Sequence, residues 1–421
     1  EEAHQYYQEA FDLLSNKTQK DKEDELLLID IILDWAMVFY YRADCIGWEK
    51  IFLDYKALAE TLGDKERLGM FYAWLGFSLW FREKYTDSYE YLCKAIEIGE
   101  EIKNQKIIGY GCTWICWTCT ELGLFDNAIT HGERAQQIAN ILDSDQYLYF
   151  KSLAALANTY IYTGENKKAL NAGQKLLDYG HKHSNIRSIS LGHTYISYSY
   201  FIAGDYPQAK ASAQKAIQTS VDPLYAIGGN LLLDFSHAFL DEFEKIGEKT
   251  KQDWIFLQEV GCEVWGKMAE ILMGLTYIAG GQMSKGLKMV ENVRDMFRRN
   301  KRIGRLAMPE YILGKIYLQI AVGENLPSFS ILARNIGFMV KNVPAAGKKA
   351  EYQFKRSIEV ATEVGANDWI ALSYYDLGLL YKAKKQTDQA KECIAKAIVL
   401  FEQCEAEIYL QQAKEALASL D

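Results

Sequence analysis

The sequence repeats itself at a step of roughly 40 residues. Four segments set residues of one kind at the same offsets: SYEYLCKAIEIG from Ser88, NAITHGERAQQIA from Asn127, KALNAGQKLLDYG from Lys168 and QAKASAQKAIQTS from Gln208. In each, a small residue is followed four and seven positions later by apolar or small ones: Ser88, Leu92, Ala95; Ala128, Gly132, Ala135; Ala169, Gly173, Leu176; Ala209, Ala213, Ala216. Later copies begin at Gly286, Ala350 and Ala390, and an earlier one, with larger residues, at Trp48. The gap between Ala209 and Gly286 leaves room for one degenerate unit. Positions i, i+4 and i+7 share a helix face, and small side chains there let a second helix pack close. One such unit cannot bury its apolar face alone, so neighbours must stack.

Each unit also carries a first helix, marked by a small residue three positions before a large apolar one. Gly76 precedes Leu79, Ala157 precedes Tyr160, Ser197 precedes Tyr200, Gly274 precedes Tyr277 and Gly378 precedes Tyr381. The joining turns REKYTD, ELGLFD, YTGENK, IAGDYP and AKKQTD supply helix stops and N-caps through Gly and Asp. Only 5 prolines occur in 421 residues, which favours long helices because proline is expelled from helix interiors.

The pattern resembles the tetratricopeptide family over nearly the whole chain, with a unit longer than the usual length of about 34 residues. The resemblance implies an all-α, right-handed superhelix of about nine to ten antiparallel helix pairs, in which each pair contacts only its neighbours. The expected organisation is one solenoid: a half-repeat over 1–20, regular repeats over 21–220, a degenerate repeat over 221–260, repeats over 261–322, an inserted helix over 323–346, and C-terminal repeats with a cap over 347–421. Phe329, Leu332, Ile336 and Met339 would form the apolar face of the insert, packed on the solenoid or plugging its groove. Ala3, Tyr7 and Ala10 read as a second helix without its first, as though the chain were cut from a longer one.

The stretch CTWICWTCT places Cys112, Cys116 and Cys119 at i, i+4 and i+7 of a first helix. Cys116 falls where other units have Gly76, Ala157 and Ser197, so the three cysteines are expected to pack as small hydrophobes rather than bind metal. Trp117 lies one position beyond that packing face. By the resemblance, first helices line the concave surface, and Phe77, Trp80, Tyr110, Trp117, Asn158, Tyr198 and Phe201 are the candidate partner-binding residues of an aromatic groove. The competing reading is that long helices bury these rings between units. The lysine expected of a carboxylate clamp, four positions before Asn158, is Ala154 instead.

Arg294, Arg298, Arg299, Arg302 and Arg305 form a basic run in an otherwise acidic chain of net charge −9. They offer a patch for an acidic partner, or cations that complement a helix end. The acidic balance excludes general nucleic-acid binding, which rests on neutralising phosphates. No secretory signal or uninterrupted membrane span stands out, and scattered cysteines suit reduced thiols in the cytoplasm. No P-loop, G-x-S-x-G, H-E-x-x-H or dinucleotide fingerprint occurs, so no catalytic role, cofactor or metal is expected.

YILGKIYLQI, NIGFMVKNVP, KKAEYQFKRSIEVATEVGA and the segment from YYDLGLLYK onward are similar to the C-terminal region of bacterial signalling proteins. Those proteins join a class III nucleotide cyclase domain and a STAND-type AAA ATPase domain to a tetratricopeptide array. The similarity is close over about 260–421 and looser before it. It implies a regulatory, protein-binding scaffold: a sensor arm for attached ATPase and cyclase domains. The alternative is a helical repeat that senses a small ligand for an ATP-dependent regulator.

Overall fold

A computed structural model describes residues 2–322 and 336–420, with side chains in the second span described from 343 onward. Among the described residues the regular elements are twenty α-helices and one short 3-10 turn, Phe243–Lys245. A lone helix, α1 (Glu2–Ser15), precedes nine helix pairs. Unit 1 is α2 (Lys22–Arg42) with α3 (Cys45–Thr61), and unit 2 is α4 (Lys65–Phe81) with α5 (Tyr85–Glu101). Unit 3 is α6 (Gln105–Leu122) with α7 (Phe125–Ile141), unit 4 α8 (Gln146–Thr163) with α9 (Asn166–His183), and unit 5 α10 (Ile186–Ile202) with α11 (Tyr206–Thr219). Unit 6, the degenerate one, is α12 (Pro223–Phe239) with the short α13 (Glu248–Glu259), and unit 7 is α14 (Glu263–Ala279) with α15 (Met283–Arg299). Unit 8 is α16 (Ile303–Val322) with α17 (Ile336–Val364), unit 9 α18 (Asn367–Ala383) with α19 (Thr387–Gln403), and α20 (Glu407–Ala418) ends the array. The stretch 323–335, the first part of the expected insert, lies outside the described residues. The backbone from Ile336 runs without a break into the second helix of unit 8. No helix of the described residues is long and apolar enough to cross a membrane.

Local chemistry explains the element ends. Asp44, Asp64, Asn104, Asp145, Asn185 and Asp205 cap helix N-termini by accepting backbone N–H bonds. Gly123 and Gly164 close α6 and α8 with φ of 78° and 77°, a backbone that L side chains rarely adopt. The small-residue face predicted for the second helices is where the pairs touch. Ser88 Oγ donates to the Gly76 carbonyl at 2.7 Å, and a Cβ on Gly76 would meet Leu92 Cγ at 2.6 Å.

Long-range contacts add what the repeat pattern does not state. The first helices of units 1 to 4 each touch the first helix five units on: α2 meets α12, α4 meets α14, α6 meets α16 and α8 meets α18. Tyr40 donates to the Tyr225 hydroxyl at 3.2 Å, Asn166 Nδ2 donates to the Cys404 carbonyl at 2.9 Å, and Tyr206 and Tyr409 share a hydrogen bond. The superhelix thus completes a turn in five units and each turn rests on the last.

The most deeply buried of these contacts is ionic. Arg302, with no exposed surface, donates from Nε to Glu121 Oε2 at 2.6 Å, from Nη1 to Glu83 Oε1 at 2.7 Å and from Nη2 to the Val264 carbonyl at 3.0 Å. Arg305 Nε reaches Glu121 Oε1 at 3.1 Å. A Cβ on Gly304 would collide with the Thr120 carbonyl oxygen, so glycine lets α16 lie against the end of α6. Burial alone would push the Glu121 carboxyl up, but the two guanidiniums and their hydrogen bonds hold it below its ordinary value. Glu83, facing one guanidinium, is instead raised by burial.

Glu121→Gln leaves a buried guanidinium short of its anion and is expected to cost about 3–5 kcal/mol in urea unfolding. The Glu121 contribution is complete above the unfolded-state carboxylate pKa of about 4.3 and is lost as pH falls through the lower folded value. Acid titration of the wild type should show that loss, and the Gln variant should not.

Candidate functional site

The first helices of all nine units face the superhelix axis. They line a partly covered cavity of about 130 Å³ whose wall includes residues from every unit. Phe77 and Trp80 come from α4, Trp117 from α6, Asn158 from α8, and Tyr198 and Phe201 from α10. These six expected groove residues therefore converge. They stand in the wall of an interior, though, rather than on an open concave surface. Phe77, Trp80 and Asn158 are each 3% exposed: Phe77 packs among Tyr40, Trp48 and Trp114 of the flanking units, Trp80 meets Trp117, and residues of units 6 to 9 line the opposite wall. Tyr110 is not in the wall. It packs against Trp114 at 5.1 Å and Tyr147 at 5.8 Å, and its hydroxyl donates to Asp145.

Stacking orders the wall. Phe77 lies parallel to Trp114 at 4.8 Å, and Trp80 meets Trp117 edge-on at 5.4 Å. Three hydrogen-bond donors in it have no partner: Trp80 Nε1, Trp117 Nε1 and Asn158 Nδ2.

The sequence reading passed over Lys151, the most unusual wall residue. It sits seven positions before Asn158, hence on the same face of α8 and about 10 Å along the axis. It is 4% exposed. Its Nζ donates to the Tyr40 hydroxyl and lies 4.6 Å from the Tyr40 ring centre and 5.0 Å from that of Tyr225. Burial pushes its pKa down to about 7; Asp222 opposes this and Arg187 adds to it. Asp222 is already taken by Arg187, at 2.7 and 3.0 Å. A lone lysine in the run YFKSLAALANTY, on the face of Asn158, was the available signal.

The basic run is not one patch. Arg302 and Arg305 are buried in the Glu121 contact, because their acidic partners come from the preceding turn. Arg298 pairs with Glu310 at 2.8 Å and Arg294 with Asp295 at 2.9 Å, while Arg299 is exposed. Cys112, Cys116 and Cys119 have no exposed surface, which bears out their packing role, and burial pushes the Cys112 and Cys116 thiols up to about 12. No group of His, Cys, Asp and Glu among the described residues is arranged to hold a metal ion.

Beside the cavity, at the start of α18, Asp368 is buried near Trp369 and Tyr198. Neither carboxyl oxygen has a well-formed hydrogen bond. Burial raises its pKa to about 7, and the backbone amides of Asp368 and Trp369 pull it back only in part.

The chain matches no protein-family model and no curated protein. Solved structures share its fold. A Rap protein complexed with competence and sporulation factor aligns over 86% of this chain and 99% of its own, at 13% identity and a TM-score of 0.50. NprR in complex with its cognate peptide NprX aligns over 80% and 93%, at 15% identity and 0.53. A STAND signal-transduction ATPase with a tetratricopeptide-repeat sensor, from Pyrococcus horikoshii, covers 96% of this chain and 56% of its own at 14% identity; its TM-score of 0.47 is too low to bear on function. The fold is thus a tetratricopeptide-type helical solenoid.

Between pH 4 and 7 native Asp368 retains a proton that the unfolded chain has lost. Stability should fall as pH rises through that window, by about 4 kcal/mol at most. Asp368→Asn should flatten this part of the pH profile in chemical denaturation.

Proposed function

We propose that this chain is a non-catalytic regulatory solenoid that receives a protein-derived or small-molecule effector along its axis. One observation carries the reading. Residues from units 2 to 5 that the repeat pattern marks for binding share a single cavity wall with residues from units 6 to 9. An occupant would touch both partners of the contacts that close the superhelix. A ligand that favours the closed coil over a more open one shifts that equilibrium by its differential affinity. The narrow interior suits a short peptide segment or a small molecule better than a folded domain, which would need the turns to part.

Two solved structures of similar fold are complexes, one with competence and sporulation factor and one with a cognate peptide, and they support a binding role. The similarity of residues 260–421 to cyclase–ATPase signalling proteins supports a further step. In it, the solenoid is the sensor arm of a longer cytoplasmic chain and reports occupancy to attached domains in cis.

The test is capture with this chain as bait from its native extract, followed by mass spectrometry of co-purifying proteins, peptides and small molecules. The captured effector, at about a hundred times its Kd, should stabilise the chain by about 2.7 kcal/mol. It should also lower the radius of gyration in solution scattering. A captured molecule that leaves both unchanged is not an axial effector and overturns the reading.

A further inference from the structure

The cavity wall is chemically one-sided. Its two ionisable cations are Lys151 and Arg305, and no Asp or Glu belongs to it. Its unpartnered polar atoms are donors, on Trp80, Trp117 and Asn158. Arg305 is neutralised by Glu121, but Lys151 is not. The groups facing Lys151 are Tyr40 from α2, Tyr147 and Phe150 from its own helix, and Tyr225 from α12. Beyond them stand Tyr41, stacked under Arg187 at 3.8 Å, and the Arg187–Asp222 pair, whose charges cancel. A buried ammonium with no anion of its own is unfavourable for folding, and a methionine of similar shape would fill the space without that penalty. The rest of the wall is aromatic and aliphatic. Its volume approaches that of an apolar protein cavity of about 150 Å³ that takes up benzene.

We propose that the axial cavity is a receptor site for a carboxylate-bearing apolar ligand, with Lys151 as the anchor for the carboxylate and Trp80, Trp117 and Asn158 as donors to its further oxygen atoms. This rests on the axial-effector reading and names the ligand class. An anion is favoured over a cation because both ionisable side chains of the wall, Lys151 and Arg305, are basic. The carboxylate belongs either to a small organic acid or to the C-terminal residue of a peptide. Lys151 binds the anion as the ammonium, so binding above neutral pH must take up a proton.

The test uses the whole chain and paired probes: 4-phenylbutyrate against 4-phenylbutyramide, and N-acetyl-Leu-Phe against its C-terminal amide. Binding is read by tryptophan fluorescence, since Trp80 and Trp117 are in the wall, and by melting temperature. The acids should quench and stabilise, and each amide should bind more weakly by roughly tenfold to a hundredfold. Affinity for the acid should fall by up to about tenfold per pH unit above 7. Lys151→Met should melt higher than wild type when empty, yet lose both the preference for acid over amide and the pH dependence. Lys151→Arg should retain the preference and lose the pH dependence. Binding of the dipeptide acid alone assigns the carboxylate to a peptide C-terminus, and of the phenylbutyrate alone to a small acid. Acid and amide binding equally, or acid binding unchanged in Lys151→Met, overturns the carboxylate assignment while leaving an axial receptor in place. If none of the four probes binds, the carboxylate assignment is overturned, and the axial reading stands or falls on the capture experiment alone.

Discussion

The contact of Arg302 with Glu121 and Glu83 is the constraint on which the rest depends. It joins residues 181 and 219 positions apart, from units that meet across successive turns of the superhelix but lie five and six steps apart along the chain. Removing such charges from water costs several kcal/mol per ion, which their attraction only offsets. The pair therefore adds little net stability, but it penalises any other register of turn on turn, because a shifted coil would leave the guanidinium buried without its carboxylates. Gly304 makes the same demand sterically, since any side chain there would strike the Thr120 carbonyl.

Once the turns close, the inner face of the solenoid ceases to be a surface. The rings of Phe77, Trp80 and Phe201 are buried first by their flanking units, Phe77 against Tyr40 and Trp114, Trp80 against Trp117, and Phe201 against Phe235 and Phe239, with the far turn lining the opposite wall. Packing at this density would ordinarily fill the axis with hydrocarbon. Instead the axis retains a cavity, three donors without partners, and a lysine among tyrosine rings. These features depart from what stability alone favours, and such departures gather at functional sites. Two titrating groups lie in or beside that interior, Lys151 and Asp368, each displaced toward neutrality by burial.

Much of this was legible in the sequence. The recurrence of Ser88, Ala128, Ala169 and Ala209 marked the close-packed helix faces, and Cys116 at the equivalent of Gly76 placed the cysteine triplet in the core. The same register picked out Phe77, Trp80, Trp117, Asn158, Tyr198 and Phe201, which do meet in one place. Tyr110 was misread because a residue near the start of its helix leans on Trp114 one turn along and on Tyr147 of the neighbouring unit, rather than on the axis. Lys151 was missed because a single lysine in an apolar helix normally reaches water with its amine, and no sequence signal says that Tyr40 and Tyr225 will close over it.

The sequence by itself determined the local order: helix lengths, caps, the small-residue faces and the stacking of each pair on the next. These depend on spacings of a few residues and on nearest-neighbour contacts, which a repeat writes out in full. Only the tertiary structure decided the pitch, and with it whether Arg302 and Arg305 lie in a surface patch or a buried ion cluster, and whether the aromatic face is an open groove or a partly covered cavity. Pitch is the sum of small rotations at each unit interface. Contacts between unit n and unit n+5 follow from that sum, and no single repeat contains it.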